Sequence, residues 1–433
     1  MKFIFADSLD YIDPGYDFLL DRNADGRRPY WDDQYPHEAL GYAPYQGMLV
    51  SRAIVGGGAA SGISGKYTEA QAMRFRRVGA REFLRLSDPK YAALNIFGDC
   101  GAFSYHNEDV PPYTPEDTAE FYDDGRFTHG CSSDHIIFDF VDGLTGMSGG
   151  TPENHRRFDI TQANAEAFLT ATKHMSNRFC PLGVIQGWSP ASMAEAARRL
   201  VAMGYDYLAL GGTVPLKAPQ IMACLTAIRD AIPASVRLHV LGFAKADNIS
   251  EFLGKGITSF DTTSPLIRAF KDAKFNYYLP GTGGALSYYT AIRVPQAIEN
   301  PKLMNLAKRG VLHQEDLQKM EGDALDTLRR YDRGAADLEE TVETVLAYAV
   351  PATIGDLVQN LPGTRQIADL RARYERTLMD RPWKQCGCPI CRDTSIEVML
   401  FRASNRNKRR GMHNLYVYSN HLKTLKEQSA HAL

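Results

Sequence analysis

The stretch LGVIQGWSPASMAEAARRLVAMGYDYLALGG, residues 182–212, contains one complete strand–helix–strand unit. Its opening run LGVIQGW and closing run YDYLALGG are close to continuously apolar. A strand wetted on one face would alternate instead, so both runs read as strands buried on both faces, as in a parallel sheet. Between them Ser189 stands where a helix N-cap belongs and Pro190 suits the first helical position. Met193, Ala197, Leu200 and Val201 share one face, and Gly204 provides the stop.

Runs of the same character lie on either side: MLVSRAIV from Met48, LNIFGDCGAF from Leu94, HIIFDF from His135, RLHVLGF from Arg237 and SFDTTSP from Ser259. Several such units within one domain's length predict a (β/α)8 TIM barrel over residues 1–280, the alternative being a doubly wound open sheet. From 281 to 380 the apolar residues recur at three and four, as in EDLQKMEGDALDTLRRY from Glu315 and AADLEETVETVLAYAV from Ala335. This predicts a helical insertion whose charged faces are solvated surface. Residues 381–433 read as a zinc-binding module and C-terminal helix. The glycine-rich stretches GGGAASG from Gly56 and GTGG from Gly281 lack the strand, spacing and lysine of a phosphate loop and read as turns.

With 433 residues, 44% hydrophobic and 23% charged, the chain has material for a full barrel core and an added domain. No run reaches the roughly eighteen apolar residues of a membrane helix. The opening MKFIFADSLDYIDPGYDF carries Asp7, Asp10 and Asp13 where a secretory leader needs a longer apolar stretch, so a cytoplasmic location is expected. The net charge of −2 assigns any polyanion contact to a local basic patch.

Of the seven cysteines, Cys100, Cys131, Cys180 and Cys224 are scattered and read as small buried apolar residues. Cys386, Cys388 and Cys391 are clustered in CGCPIC, with His413 or His421 downstream. Three thiolates and one imidazole fill a tetrahedral zinc shell and leave no open position, so a structural Zn2+ is expected. FRASNRNKRRG then gathers Arg402, Arg406, Lys408, Arg409 and Arg410. That segment reads as a phosphate-binding surface or as a solvated loop.

Three carboxylates stand at or just beyond the ends of apolar runs: Asp99 after LNIF, Asp139 in IIFDF and Asp261 in SFDTTSP. In a parallel barrel those ends converge on one face, where catalytic groups gather. Gln186, Gly211 and Gly212 end two further runs, which suggests a pocket with two reacting carboxylates and one recognition carboxylate.

These blocks, GDCGAFS, IIFDF, GVIQGW, LALGG, GITSFDTTSP and CGCPIC with a downstream histidine, resemble the tRNA-guanine transglycosylases in type and order. The resemblance implies that Asp261 is the nucleophile and Asp99 the general acid/base. It further implies that Asp139, Gln186 and the backbone at Gly211 and Gly212 read the heterocycle, that Phe103 is a packing wall beside it, and that His413 is the fourth zinc ligand. Asp99-Cys100-Gly101-Ala102-Phe103-Ser104 and Pro265-Leu266-Ile267-Arg268 depart from the motifs of the tRNA enzymes. Together with FADSLDYIDPGYDF, SRAIVGG, FGDCGAFSY and the long helical stretch, they are similar to the DNA-modifying DpdA branch. That branch implies insertion of 7-cyano-7-deazaguanine (preQ0) into DNA, and a DNA substrate brings with it possible partner proteins of a DNA-modification system. Arg268 joins Arg402, Arg406, Lys408, Arg409 and Arg410 as a candidate nucleic-acid contact.

Exchange at C1′ with retention takes two displacements and a covalent glycosyl-enzyme intermediate, and one carboxyl that cycles its proton serves both halves. The target nucleotide must be flipped out or single-stranded. The alternatives are the same chemistry on tRNA, a non-catalytic zinc-bearing nucleic-acid-binding protein, and a barrel hydrolase that cleaves the glycosidic bond with water.

Overall fold

The computed structural model describes residues 1–56, 65–175, 179–243, 245–355 and 363–431. Eight parallel strands close into a barrel: β1 (Lys2–Ala6), β2 (Gly47–Ser51), β3 (Asn95–Asp99), β4 (His129–Cys131), β5 (Cys180–Ile185), β6 (Tyr207–Leu210), β7 (Arg237–Val240) and β8 (Ser259–Asp261). They pair in chain order, and β8 returns to β1 through Phe3 opposite Phe260 and Ile4 opposite Asp261. Closure removes the open-sheet alternative. Alternate residues point inward, so Ile4, Leu49, Phe97, Cys131, Leu182, Val184, Tyr207 and Ala209 fill the interior as one buried cluster.

The β5–β6 unit follows its sequence signals closely. The Ser189 hydroxyl accepts from the Ser192 N–H at 3.1 Å, Pro190 opens the helix Pro190–Met203, and Gly204 ends it at φ 109°. Helices Glu69–Val78, Pro115–Asp124, Pro152–Ala171 and Ala218–Ala231 follow β2, β3, β4 and β6. A 3-10 segment, Ala246–Phe252, replaces the helix after β7.

HIIFDF is not a strand. β4 is the short HGC before it, and the apolar run is loop. Its backbone bonds to side chains and not to a neighbouring strand: the His135 N–H donates to Thr161 Oγ1 (3.0 Å) and the Ile137 N–H to Gln186 Oε1 (3.2 Å). GGGAASG falls largely on residues 57–64, outside the described residues.

The barrel unit comprises Met1–Leu9 and Tyr45–Ser264, so it ends before residue 280 and omits an early segment. The second unit joins Asp10–Pro44 to Pro265–Leu433. It holds a hairpin of Tyr277–Pro280 and Leu286–Tyr289, turned by GTGG, and the helices Gln314–Asp332, Leu338–Thr353, Gly363–Asp380 and Ser404–His431. The helical stretch and the cysteine cluster pack together. Leu317, Leu328, Val345 and Tyr374 share one apolar core with Cys386, Cys388, Cys391 and Met412. No described helix is long and apolar enough to cross a membrane.

The arginines of the basic segment are buried and not open to solvent. Arg402, Arg406, Arg409 and Arg410 are 0–6% exposed, and their guanidiniums are bonded within the protein. Arg402 and Arg406 both hold Asp21; Arg402 also donates to Glu321 (2.6 Å) and Arg406 to Glu397 (2.8 Å). Arg409 donates to the Asp13 carbonyl (2.9 Å), and Arg410 to the carbonyls of Val398 (3.0 Å) and Leu400 (3.1 Å). Buried charges persist only when paired and hydrogen-bonded, and these clasp the early segment to the C-terminal helix instead of offering a phosphate surface. Lys408 is half-buried with Nζ on the Tyr11 carbonyl (3.3 Å), and Arg268 lies 4.0 Å from Asp272.

Candidate active site

Asp261 ends β8 on the inward face and is buried. Its Oδ1 accepts from the Gly242 N–H (2.9 Å) and faces His239 Nε2 (3.2 Å). Asp99 ends β3, in register with Ser51 of β2. Its Oδ2 accepts from the Gly101 N–H at 3.1 Å. Burial, reinforced by the negative charges of Asp134 and Asp261, pushes the Asp99 carboxyl up to about 7, against the lowering effect of the Ser51 hydroxyl and the Gly101 N–H. One strand-end carboxyl can therefore hold a proton at neutral pH beside others, the division of labour that acid/base chemistry requires.

Asp134 is the carboxylate that sequence reasoning missed. It follows β4 directly in HGCSSD, is 3% exposed, and accepts from Gln186 Nε2 (2.6 Å) and from the Cys100 thiol (3.0 Å). Tyr105 donates to both the Cys100 sulfur and the Asp134 carbonyl, each at 3.0 Å. Cys100 is thus a hydrogen-bonding part of the site wall and not apolar filler. Gln186 is held at both ends of its amide, Nε2 by Asp134 and Oε1 by the Ile137 N–H, so its remaining donor and acceptor have set directions.

The two glycines act differently. The Gly211 N–H continues the ladder to the Ile185 carbonyl (3.0 Å), so it is not open to a ligand. A Cβ at Gly211 would lie 2.4 Å from Gln186 Nε2, which makes this glycine the space that the Gln186 amide occupies. Gly212 sits at φ +68°, in the left-handed region, with the Gln186 Oε1 close by.

Asp139 is exposed, and its Oδ2 accepts from Asn154 Nδ2 (3.0 Å) in the first turn of Pro152–Ala171. Phe103 is 59% exposed and meets Phe138 edge to face at 5.9 Å. Arg157 joins the two loops that carry these rings, donating to the Ile136 carbonyl (2.8 Å) and the His106 carbonyl (2.9 Å).

In the second unit the Sγ atoms of Cys386, Cys388 and Cys391 lie 3.3, 3.5 and 3.3 Å from His413 Nδ1, all four residues being buried. His413 Nε2 bonds to the Tyr278 carbonyl (2.8 Å), and the Tyr277 ring stacks on the imidazole at 3.9 Å. That contact turns Nδ1 toward the thiols, as backbone carbonyls do for metal-bound histidines. The set can hold a metal ion, and His413, not His421, completes it.

The family model for queuine tRNA-ribosyltransferase matches residues 126–430, a stretch that includes Asp134, Asp139, Gln186, Asp261 and the Cys3His set. Asp99 precedes it. The chain belongs to this family. A relative from Salmonella montevideo, named DNA-guanine transglycosylase, is 43% identical over 423 residues, covering 98% of this chain and 96% of its own. The protein is accordingly a guanine base-exchange glycosyltransferase whose substrate is a nucleic acid.

Proposed function

We propose that this transglycosylase exchanges guanine in DNA for 7-cyano-7-deazaguanine through a covalent aspartyl-glycosyl intermediate. The observation that carries the DNA assignment is the likeness, over nearly the full length of both chains, to a protein named DNA-guanine transglycosylase. The family model's own name keeps tRNA as the second reading.

In the first half-reaction Asp261 attacks C1′ from the face opposite the base. The C1′–N9 bond breaks, its electron pair leaves with guanine, and Asp99 supplies the proton that makes guanine a competent leaving group. In the second, the Asp99 carboxylate takes the N9 proton of the incoming deazaguanine, N9 attacks C1′, and Asp261 departs as carboxylate. Both displacements invert, so configuration is retained. The Gln186 amide, the Asp139 carboxylate and the Gly212 backbone read the edge common to guanine and 7-deazaguanines, and Phe103 packs on the ring. A structural zinc in the Cys3His set would close its shell and stabilise the second unit, taking no part in the exchange.

Supplying DNA that carries labelled guanine separates exchange from hydrolysis. Label is expected to leave only when a deazaguanine acceptor is present; release with water alone contradicts the proposal. The proton held by Asp99 gives the first half-reaction a pH dependence. Its single-turnover rate is expected to fall about tenfold per pH unit above about 7, and Asp99→Asn to abolish that limb along with ~10²–10⁴ of the rate. Because the folded-state pKa lies above that of an unfolded carboxyl, protonation of Asp99 favours the fold, and stability is lost as pH rises to about 7. Asp99→Asn is therefore expected to melt higher than the parent at pH 8, and an unchanged melting temperature there argues against the burial assigned to Asp99.

Gly211→Ala is expected to displace the Gln186 amide and to raise KM for the incoming base about tenfold, the scale of one lost buried hydrogen bond. An unchanged KM removes Gln186 from base recognition.

A further inference from the structure

Beneath Asp261 the barrel interior holds a chain of polar side chains where such interiors are ordinarily filled with branched aliphatics. Tyr207 on β6, His239 on β7 and Ser259 on β8 are 2%, 0% and 0% exposed. The Tyr207 hydroxyl lies 2.6 Å from Ser259 Oγ, Ser259 Oγ lies 2.5 Å from His239 Nδ1, and His239 Nε2 lies 3.2 Å from Asp261 Oδ1. Strand register sets this geometry and no loop is involved. Ser259 and Asp261 are two apart on β8 and share the inward face, and His239 is paired opposite Ser259.

The chain has a direction. An ionised carboxylate only accepts, so Nε2 carries a hydrogen toward Asp261. With the hydrogen on Nε2, Nδ1 can accept from Ser259, and Ser259 in turn from Tyr207. Phe97 stacks on the imidazole at 5.1 Å and limits its tilt. Buried polar groups are costly unless satisfied, and every member here has a partner.

We propose that His239 is a positioning residue for Asp261. With the Gly242 N–H it holds Oδ1, leaving Oδ2 as the oxygen that attacks C1′. In the glycosyl ester Oδ1 is the carbonyl oxygen. When the C1′–Oδ2 bond breaks, the electron pair returns to the carboxylate, and two donors already stand where half of that charge reappears. His239 therefore acts mainly on breakdown of the intermediate. This inference rests on the reading of Asp261 as nucleophile.

The test uses the full-length protein with DNA and deazaguanine, comparing His239→Leu with His239→Gln, whose amide can place an N–H near the Nε2 position. His239→Leu is expected to lower kcat about ten- to a hundredfold with KM for DNA unchanged, and to raise the fraction of enzyme trapped as covalent adduct at steady state. His239→Gln is expected to recover most of kcat and return the adduct to its parental level. Parental kcat and adduct in His239→Leu, or a glutamine variant no better than leucine at equal melting temperature, overturns the proposal. If His239→Leu does not fold, Ser259→Ala takes its place. That variant removes the donor to Nδ1 and is expected to shift adduct in the same direction by a few-fold; no shift overturns the proposal. Asp261→Asn run in parallel separates the two claims, since an adduct persisting there refutes the nucleophile and not the role of the histidine alone.

Discussion

Asp261→Asn is expected to lose base exchange by at least about a thousandfold and to form no covalent adduct with DNA. The amide is nearly the same size and can still accept from the Gly242 N–H, so the fold and the pocket should persist. What it lacks is an anionic oxygen able to bond to C1′. Binding of DNA and of the free base should therefore survive while chemistry stops, a loss in kcat with little change in affinity. An adduct of the expected mass in Asp261→Asn would move the nucleophile elsewhere. Asp99 and Asp134 would then be the carboxylates to examine, since both share its electrostatic surroundings.

The other large effect concerns the cysteine cluster. The purified protein is expected to carry one zinc per chain by elemental analysis, and Cys388→Ser to carry little or none. Cys388 is fully buried, its sulfur accepts from the Cys391 N–H (3.3 Å), and it belongs to the same apolar core as the helices of the second unit. Structural zinc sites of this composition contribute about 10 kcal/mol or more to folding. Cys388→Ser should thus unfold the second unit, read as loss of its cooperative melting transition, and a chelator should do the same to the parent. A metal-free protein with an undiminished transition contradicts the structural role.

The parts of this fold that were legible in the sequence are those whose signals are local. Ser189, Pro190 and Gly204 bracket their helix within sixteen residues, and the spacing of CGCPIC marks three thiols that the structure gathers around His413. β4 escaped notice because three residues, His-Gly-Cys, carry no apolar run, while HIIFDF imitates a strand yet bonds its backbone to Thr161 and Gln186. β1 is hard to see because its run KFIFA is five residues long and opens the chain, where a short apolar run also resembles the start of a leader. Asp134 is illegible for a different reason: its importance lies in contacts to Cys100 and Gln186, 34 and 52 residues away. The arginines misled in the opposite sense. Five cations in nine residues look like a surface until Asp21, Glu321 and Glu397 are brought to them, and Asp21 lies some 380 residues earlier in the chain. His239 shows the same limit, since nothing in RLHVLGF marks a histidine facing Asp261 across a strand pair.

The measurement that bears most directly on the account is incorporation of labelled 7-cyano-7-deazaguanine by the zinc-replete protein, with plasmid DNA and bulk tRNA offered in parallel. The account predicts label in DNA, dependent on Asp261 and absent from tRNA. Label in tRNA alone contradicts the DNA assignment, and label in DNA that survives Asp261→Asn contradicts the mechanism.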